Sequence, residues 1–115
     1  TGMDRDRLLL LTTTGRRTGR ERTTPMMFHR DGDRLLVIAS NAGAPRHPDW
    51  YLNLLADPRV TVELGDRRYR ARATPAGGAD REALWNDLVT AHPFFVEHQV
   101  RAGRAIPLVE LIEST

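Results

Sequence analysis

The chain contains no cysteine, which excludes a disulfide framework and the zinc and iron–sulfur sites built on thiolates. It contains no lysine either, so all 17 basic residues are arginine. A Schiff-base lysine and the lysine of a phosphate-binding P-loop are therefore excluded. Any anion site must use guanidinium forks, which suit bidentate contact with phosphate or carboxylate. The plain reading of this usage is a coding bias toward GC-rich codons. Aromatic residues are few, at 6%, and no apolar run approaches the roughly 20 residues that span a bilayer. The opening Thr1-Gly2-Met3-Asp4-Arg5-Asp6 lacks the basic and apolar regions of a signal peptide. Residues 1–6 are expected to stand outside the folded domain, and the cytoplasm is the default compartment.

What is present is material for one domain over residues 1–115. The 115 residues are 40% hydrophobic and 28% charged, with a formal net charge of +2. A chain of this length and composition builds a core and does not stay disordered.

The run Leu8-Leu9-Leu10-Leu11-Thr12-Thr13-Thr14 reads as a buried strand that stops at Gly15. A glycine-bracketed polar loop follows, and Thr23 to His29 reads as a second strand with Pro25 at an edge or bulge. Asp31-Gly32-Asp33 is a hairpin turn, because Asp-Gly supplies positive-φ positions. It leads into Leu35-Leu36-Val37-Ile38-Ala39, continuous enough to be buried on both faces. Pro48 suits the first turn of a helix in which Trp50, Tyr51, Leu54 and Leu55 share a stripe, ended by Asp57-Pro58. Val60 to Leu64, the Gly65-Asp66 turn and Arg67 to Thr74 form a second hairpin. Asp80 is the expected N-cap of a helix carrying Leu84, Trp85, Leu88 and Val89. Pro93 interrupts it, a shorter helix runs from Phe94 to Arg101, and Ile106 to Ile112 closes as a strand. The expected fold is mainly β (α+β), a six-stranded barrel with two to three helices.

Catalytic templates are few. No Gly-x-Ser-x-Gly elbow occurs, and His29, His47, His92 and His98 lack the spacing of a helical zinc site, so no metal is expected. The strand with Arg67, Arg68, Arg70 and Arg72 reads as a solvated face interleaved with Glu63 and Asp66, and nucleic acid is not expected. The strongest local pattern is Thr12-Thr13-Thr14-Gly15-Arg16-Arg17-Thr18-Gly19-Arg20. Its glycines permit close approach, and its hydroxyls and arginines suit phosphate or carboxylate. The plain alternative is a solvated basic turn. Ala39-Ser40-Asn41-Ala42-Gly43 ends a buried strand in small residues, where a flat ring can lie against backbone; the alternative is an ordinary polar turn. Trp50 and Tyr51 begin a helix whose positive end suits an anion; core packing is the alternative and is expected for one of the two. His92, Phe95 and His98, at i, i+3 and i+6, line one wall of a substrate pocket or else pack in the core. With so few reactive groups, an enzyme built on this chain would take its reactivity from a cofactor.

Together these segments resemble the deazaflavin-dependent nitroreductase family of actinobacterial F420-dependent quinone reductases. The resemblance rests on Leu-Thr-Thr-Thr-Gly-Arg-Arg-Thr-Gly (11–19), Pro25, Ile-Ala-Ser-Asn-Ala-Gly-Ala (38–44), Pro-Asp-Trp-Tyr-Leu-Asn-Leu (48–54), Asp57-Pro58 with Val60, and Ile106-Pro107. They occur in order over residues 8 to 112.

The resemblance implies a split β-barrel of the FMN-binding type that holds coenzyme F420, an 8-hydroxy-5-deazaflavin with a phospholactyl-oligoglutamate tail. It further implies that Arg16, Arg17, Thr18 and Gly19 grip the acidic end, and that Ile38, Ala39, Ser40, Asn41, Ala42 and Gly43 run beside the ring. Asp49, Trp50 and Asn53 would adjoin the cofactor, and Ser40 would hold the reactive edge or a substrate oxygen. His92, Phe95 and His98 stand where nitroimidazole-reducing members carry tyrosines, so nitroimidazole activation is not expected. The implied activity is hydride transfer from F420H2 to a quinone-like or other planar electrophile. The alternatives are an FMN enzyme of the pyridoxamine-phosphate-oxidase type and a non-catalytic F420 carrier. Family members often carry a further N-terminal helix, and such a segment would bring peripheral contact with the inner face of the membrane. Monomer and homodimer are both left open.

Overall fold

A computed structural model describes residues 8–114; the expectation for residues 1–6 lies outside the described residues. Six strands, β1 (Leu8–Thr14), β2 (Glu21–Asp31), β3 (Arg34–Ile38), β4 (Arg59–Leu64), β5 (Arg67–Pro75) and β6 (Leu108–Glu113), close into a barrel. Its order is β1-β2-β3-β6-β5-β4, with β4 returning to β1 and every pairing antiparallel. Three helices, α1 (Asp49–Ala56), α2 (Gly78–Ala91) and α3 (Phe94–Ala102), and a 3-10 turn at Asn41–Gly43 complete the chain.

The continuous apolar run in β3 has a direct cause. Successive side chains of a strand point to opposite faces. Leu35 and Val37 enter the barrel interior with Leu9, Leu11, Val62 and Val109. Leu36 and Ile38 face outward into a second core with Leu84, Trp85, Leu88 and Phe95. Both faces are dry because α2 and α3 cover this side of the barrel. β5 has no such cover, so Ala71 and Ala73 are buried while Arg68, Arg70 and Arg72 are exposed, the solvated face expected of that strand.

Pro25 pairs with Leu10 of β1, and only the Phe28–Asp31 half of β2 pairs with β3. The proline thus sits in a half-strand with one open edge, where a missing N–H is tolerated.

The structure differs from expectation in several details, among them a helix cap, a stripe residue and a strand start. α2 starts at Gly78 behind Gly77, and Asp80 lies in its first turn without capping it. That carboxylate is taken by Arg34 of β3 through two bonds of 2.9 and 2.8 Å, and Arg34 also reaches Glu110 of β6 at 3.0 Å. Leu55 is 51% exposed and leaves the stripe of α1, whose buried leucine is Leu54. The last strand begins at Leu108, because Ile106 is fixed first by side chains: Gln99 accepts its N–H at 3.0 Å and Arg81 donates to its carbonyl at 2.6 Å.

Candidate active site

The site is assembled around α1. On one side, the loop between β1 and β2 closes on itself: Gly15 N–H donates to the Arg20 carbonyl at 2.7 Å and Gly19 N–H to the Gly15 carbonyl at 2.8 Å. A side chain at Gly15 would meet Thr18 Oγ1 at 2.9 Å, and Gly19 has φ +72°; both positions need glycine. Thr18 Oγ1 accepts the Arg20 N–H at 3.2 Å, so it shapes the turn.

Arg16 is braced on α1. Its backbone N–H and Nη1 both donate to Asn53 Oδ1, at 3.1 and 2.9 Å, and its Nη2 reaches Asp49 Oδ1 at 3.3 Å. Asn53 is only 5% exposed and spends its amide on Thr13 Oγ1 at 3.4 Å. A buried amide satisfied at both ends is a fixed mount for the guanidinium. The Asp49 pair is solvent-exposed and contributes little. Above this mount lies an open cleft of about 730 Å³, lined by Arg16, Arg17, Thr18, Arg22, Trp50 and Asn53 among others. No ion pair among the described residues engages Arg17 or Arg22, which leaves their donors for a ligand.

On the other side of α1, residues 39–47 form a tight loop. Asn41 and Ala42 adopt φ of 49° and 54°, left-handed values that cost a non-glycine residue ~1–2 kcal/mol. Gly43 follows at φ +83°, packed so closely on α3 that a side chain would meet Arg101 Cδ at 3.3 Å. The Ser40 carbonyl accepts from Gly43 N–H at 3.0 Å and from Arg104 Nη2 at 3.2 Å. Its lone pairs are thereby occupied, while its hydroxyl has no partner among the described residues.

Sequence reasoning missed Arg104, which follows α3 and gives no local signal of its role. The same guanidinium also reaches the carbonyls of Ala39 and Arg46 and comes within 3.2 Å of His47 Nδ1. Burial lowers the proton affinity of Arg104, which nevertheless stays charged. Burial, seconded by Arg104, holds His47 below the ordinary imidazole range. Tyr51, whose ring centroid lies 4.8 Å from that of His47, is pushed up by burial against the opposing charge of Arg104.

The 92–98 segment does not line the 730 Å³ cleft, and neither do residues 38–43. Phe95 is 3% exposed and belongs to the second core. Its ring meets His92 edge-on at 6.3 Å and His98 at 5.6 Å. His98 Nδ1 is buried without a hydrogen-bond partner among the described residues. His29 Nε2 lies 2.7 Å from Asp87 Oδ2, and the His29 and His92 ring centroids are 6.1 Å apart.

The profile of the F420H(2)-dependent quinone reductase family matches residues 1–113. The chain belongs to that family. It is 40% identical to the F420H(2)-dependent quinone reductase Rv1261c of Mycobacterium tuberculosis over 106 residues, covering 90% of this chain and 71% of that protein. A solved F420-H2 dependent reductase (FDR-A) superposes with a TM-score of 0.81 at 35% identity, covering 95% and 96% of the two chains. A solved chain described as a domain-swapped dimer superposes at 0.82 with 35% identity, covering 96% and 83%. The protein is thus an oxidoreductase of the F420H2-dependent class, on the split-barrel fold of those enzymes, with coenzyme F420 as cofactor.

The residues present fit such a group. A braced guanidinium and two open arginines line one cleft and suit an anionic ligand end; of the two carboxylates that share the lining, Glu21 and Asp49, the latter is taken up by Arg16. On the other side of α1, the small residues 39–44 offer one free hydroxyl, that of Ser40, and carry no charged side chain.

Proposed function

We propose that this chain transfers a hydride from F420H2 to a quinone-like or other planar electrophile, with the cofactor's acidic end held in the cleft between the 15–20 loop and α1. The observation that carries this reading is the mounted Arg16 facing that cleft beside the open donors of Arg17 and Arg22. When bound, the reduced deazaflavin supplies a hydride and is a poor one-electron donor. The protein's part is then positioning and water exclusion, the terms that dominate such transfers. Arg16, Arg17, Thr18 and Gly19 hold the anionic end, with Asp49, Trp50 and Asn53 as the α1 wall. Ser40 Oγ donates to the ring edge or to a substrate oxygen, while Ile38, Ala39, Asn41, Ala42 and Gly43 form the backbone surface. His92 and His98 shape the substrate side, with Phe95 supporting both rings from the core.

A fluorescence titration with F420, run beside FMN, tests the reading, followed by F420H2 oxidation with a soluble quinone. Saturable F420 binding, F420H2 oxidation by the quinone, and weakened binding in Arg16→Ala/Arg17→Ala are expected. A preference for FMN, or tight F420 binding without oxidation by any quinone, overturns it.

The homodimer is supported as the solution form by the domain-swapped neighbour, and sedimentation reads it directly. A cytoplasmic location belongs to the same proposal, because a reductase works where its reduced cofactor is regenerated. No helix among the described residues is long and apolar enough to cross a membrane. Vesicle co-sedimentation measures any peripheral contact.

A further inference from the structure

Arg104 makes an unusual set of contacts for a half-buried guanidinium. Every partner is uncharged: the carbonyls of Ala39, Ser40 and Arg46 at 3.2 to 3.4 Å and the imidazole of His47 at 3.2 Å. No carboxylate among the described residues pairs with it, and its Nε is buried without a partner. A buried cation is normally paired. This one is instead spent on the backbone of a single loop, whose two ends it ties together. Between those ends lie Asn41 and Ala42 at positive φ, a conformation that needs outside support to persist. Arg101 adds a longer contact to the Ala42 carbonyl at 3.5 Å from the same side.

We propose that Arg104 is a positioning residue for the reaction, a clamp that holds the 39–47 loop so that Ser40 presents its hydroxyl to the bound ring or substrate. Because the clamp takes the Ser40 carbonyl, it fixes which polar group of that residue remains free. Arg104 acts through the loop and touches no ligand itself. It stands apart from the Arg16 mount on the opposite side of α1, so loss of the clamp impairs transfer more than cofactor binding. The inference rests on the proposed placement of Ser40 beside the ring.

The test compares the unaltered protein with Arg104→Met, which keeps length without donors, and Arg104→Lys, which keeps the charge without the fork. Backbone amide exchange at Gly43 and Ala44 is measured without cofactor, and kcat, KM and the F420 dissociation constant with it. Arg104→Met is expected to speed exchange at both amides and lower kcat by about tenfold or more, as small misplacements at a reacting site do. The F420 dissociation constant should move by less than about threefold, and Arg104→Lys should recover part of kcat. Unchanged exchange in the Met variant overturns the clamp whatever the cofactor result. Faster exchange with unchanged kcat overturns the catalytic consequence. Failure of the unaltered protein to bind F420 overturns the functional reading instead. If Arg104→Met does not fold, Arg104→Lys alone decides: native exchange and full kcat in it overturn the clamp.

Discussion

Arg16 and Arg104 flank the same helix and are held in opposite ways. Arg16 is mounted at its root by a buried amide and turns its face to an open cleft. Arg104 is directed inward, its two terminal nitrogens engaged by backbone carbonyls and a neutral imidazole and its Nε buried. The first arrangement keeps a cation available for an incoming anion. The second uses a cation as a cross-link and leaves nothing for a ligand. The contrast separates two kinds of damage: changes on the Arg16 side should weaken binding with little loss of stability, whereas changes on the α3 side should loosen the fold.

The largest expected effect lies at the extreme of the α3 side. Phe95→Ala removes a 3%-exposed ring from the second core, and such truncations cost ~3–5 kcal/mol. Urea unfolding should show that loss, with altered KM for quinone as His92 and His98 lose their support. An unchanged unfolding midpoint would mean that Phe95 packs less tightly than it does here.

Next comes Gly43→Ala, with φ +83° and Arg101 and the His98 carbonyl 3.3 to 3.4 Å from the added carbon. Strain of this kind costs ~1–3 kcal/mol. The change should also disturb transfer, since Gly43 N–H is one of the two donors on the Ser40 carbonyl.

The anchor side should respond differently. Arg17 is exposed and unpaired among the described residues, so Arg17→Ala should change stability by less than ~0.5 kcal/mol. F420 affinity should fall by about tenfold, the size of one charge-assisted bond. A large stability loss with full affinity would invert the comparison.

This division also explains what the sequence discloses. The barrel was legible because its signals are local: alternation in β4 and β5, Asp31-Gly32 at a turn, and a continuous apolar run in β3 that meets dry layers on both sides. The Arg16 loop announced itself through two glycines and adjacent arginines. Arg104 is separated from Ala39 by 65 positions, and no periodicity reports a contact of that range. Asp80 misled for a related reason. Its position suits a cap, but Arg34, 46 positions away, offers a two-bond partner that a cap cannot match. Phe95 was readable as pocket or core, and only tertiary packing distinguishes them.

The smallest expected effect is the most diagnostic of how the clamp is built. His47 Nδ1 accepts from Arg104, so the imidazole must be neutral, and burial first and Arg104 second hold its proton affinity below the ordinary value of 6.5. Tyr51 faces it from α1, and Arg46 adjoins it in sequence. Below that pH the unfolded chain takes up a proton that the folded chain refuses. Stability should therefore fall as pH drops from about 6.5 toward the lowered folded value, then level off below it. Above the ordinary value the group contributes no slope. Asp57 and Asp80, lowered chiefly by hydrogen bonds to Arg59 and Arg34, lose their contributions only in the carboxylate range, well below this window. Urea unfolding at a series of pH values should show the His47 slope in the unaltered protein and lose it in His47→Gln. Arg104→Met should shrink the slope without abolishing it, because burial, the larger cause, remains. An undiminished slope in His47→Gln would assign the titration to another histidine and detach the imidazole from the clamp.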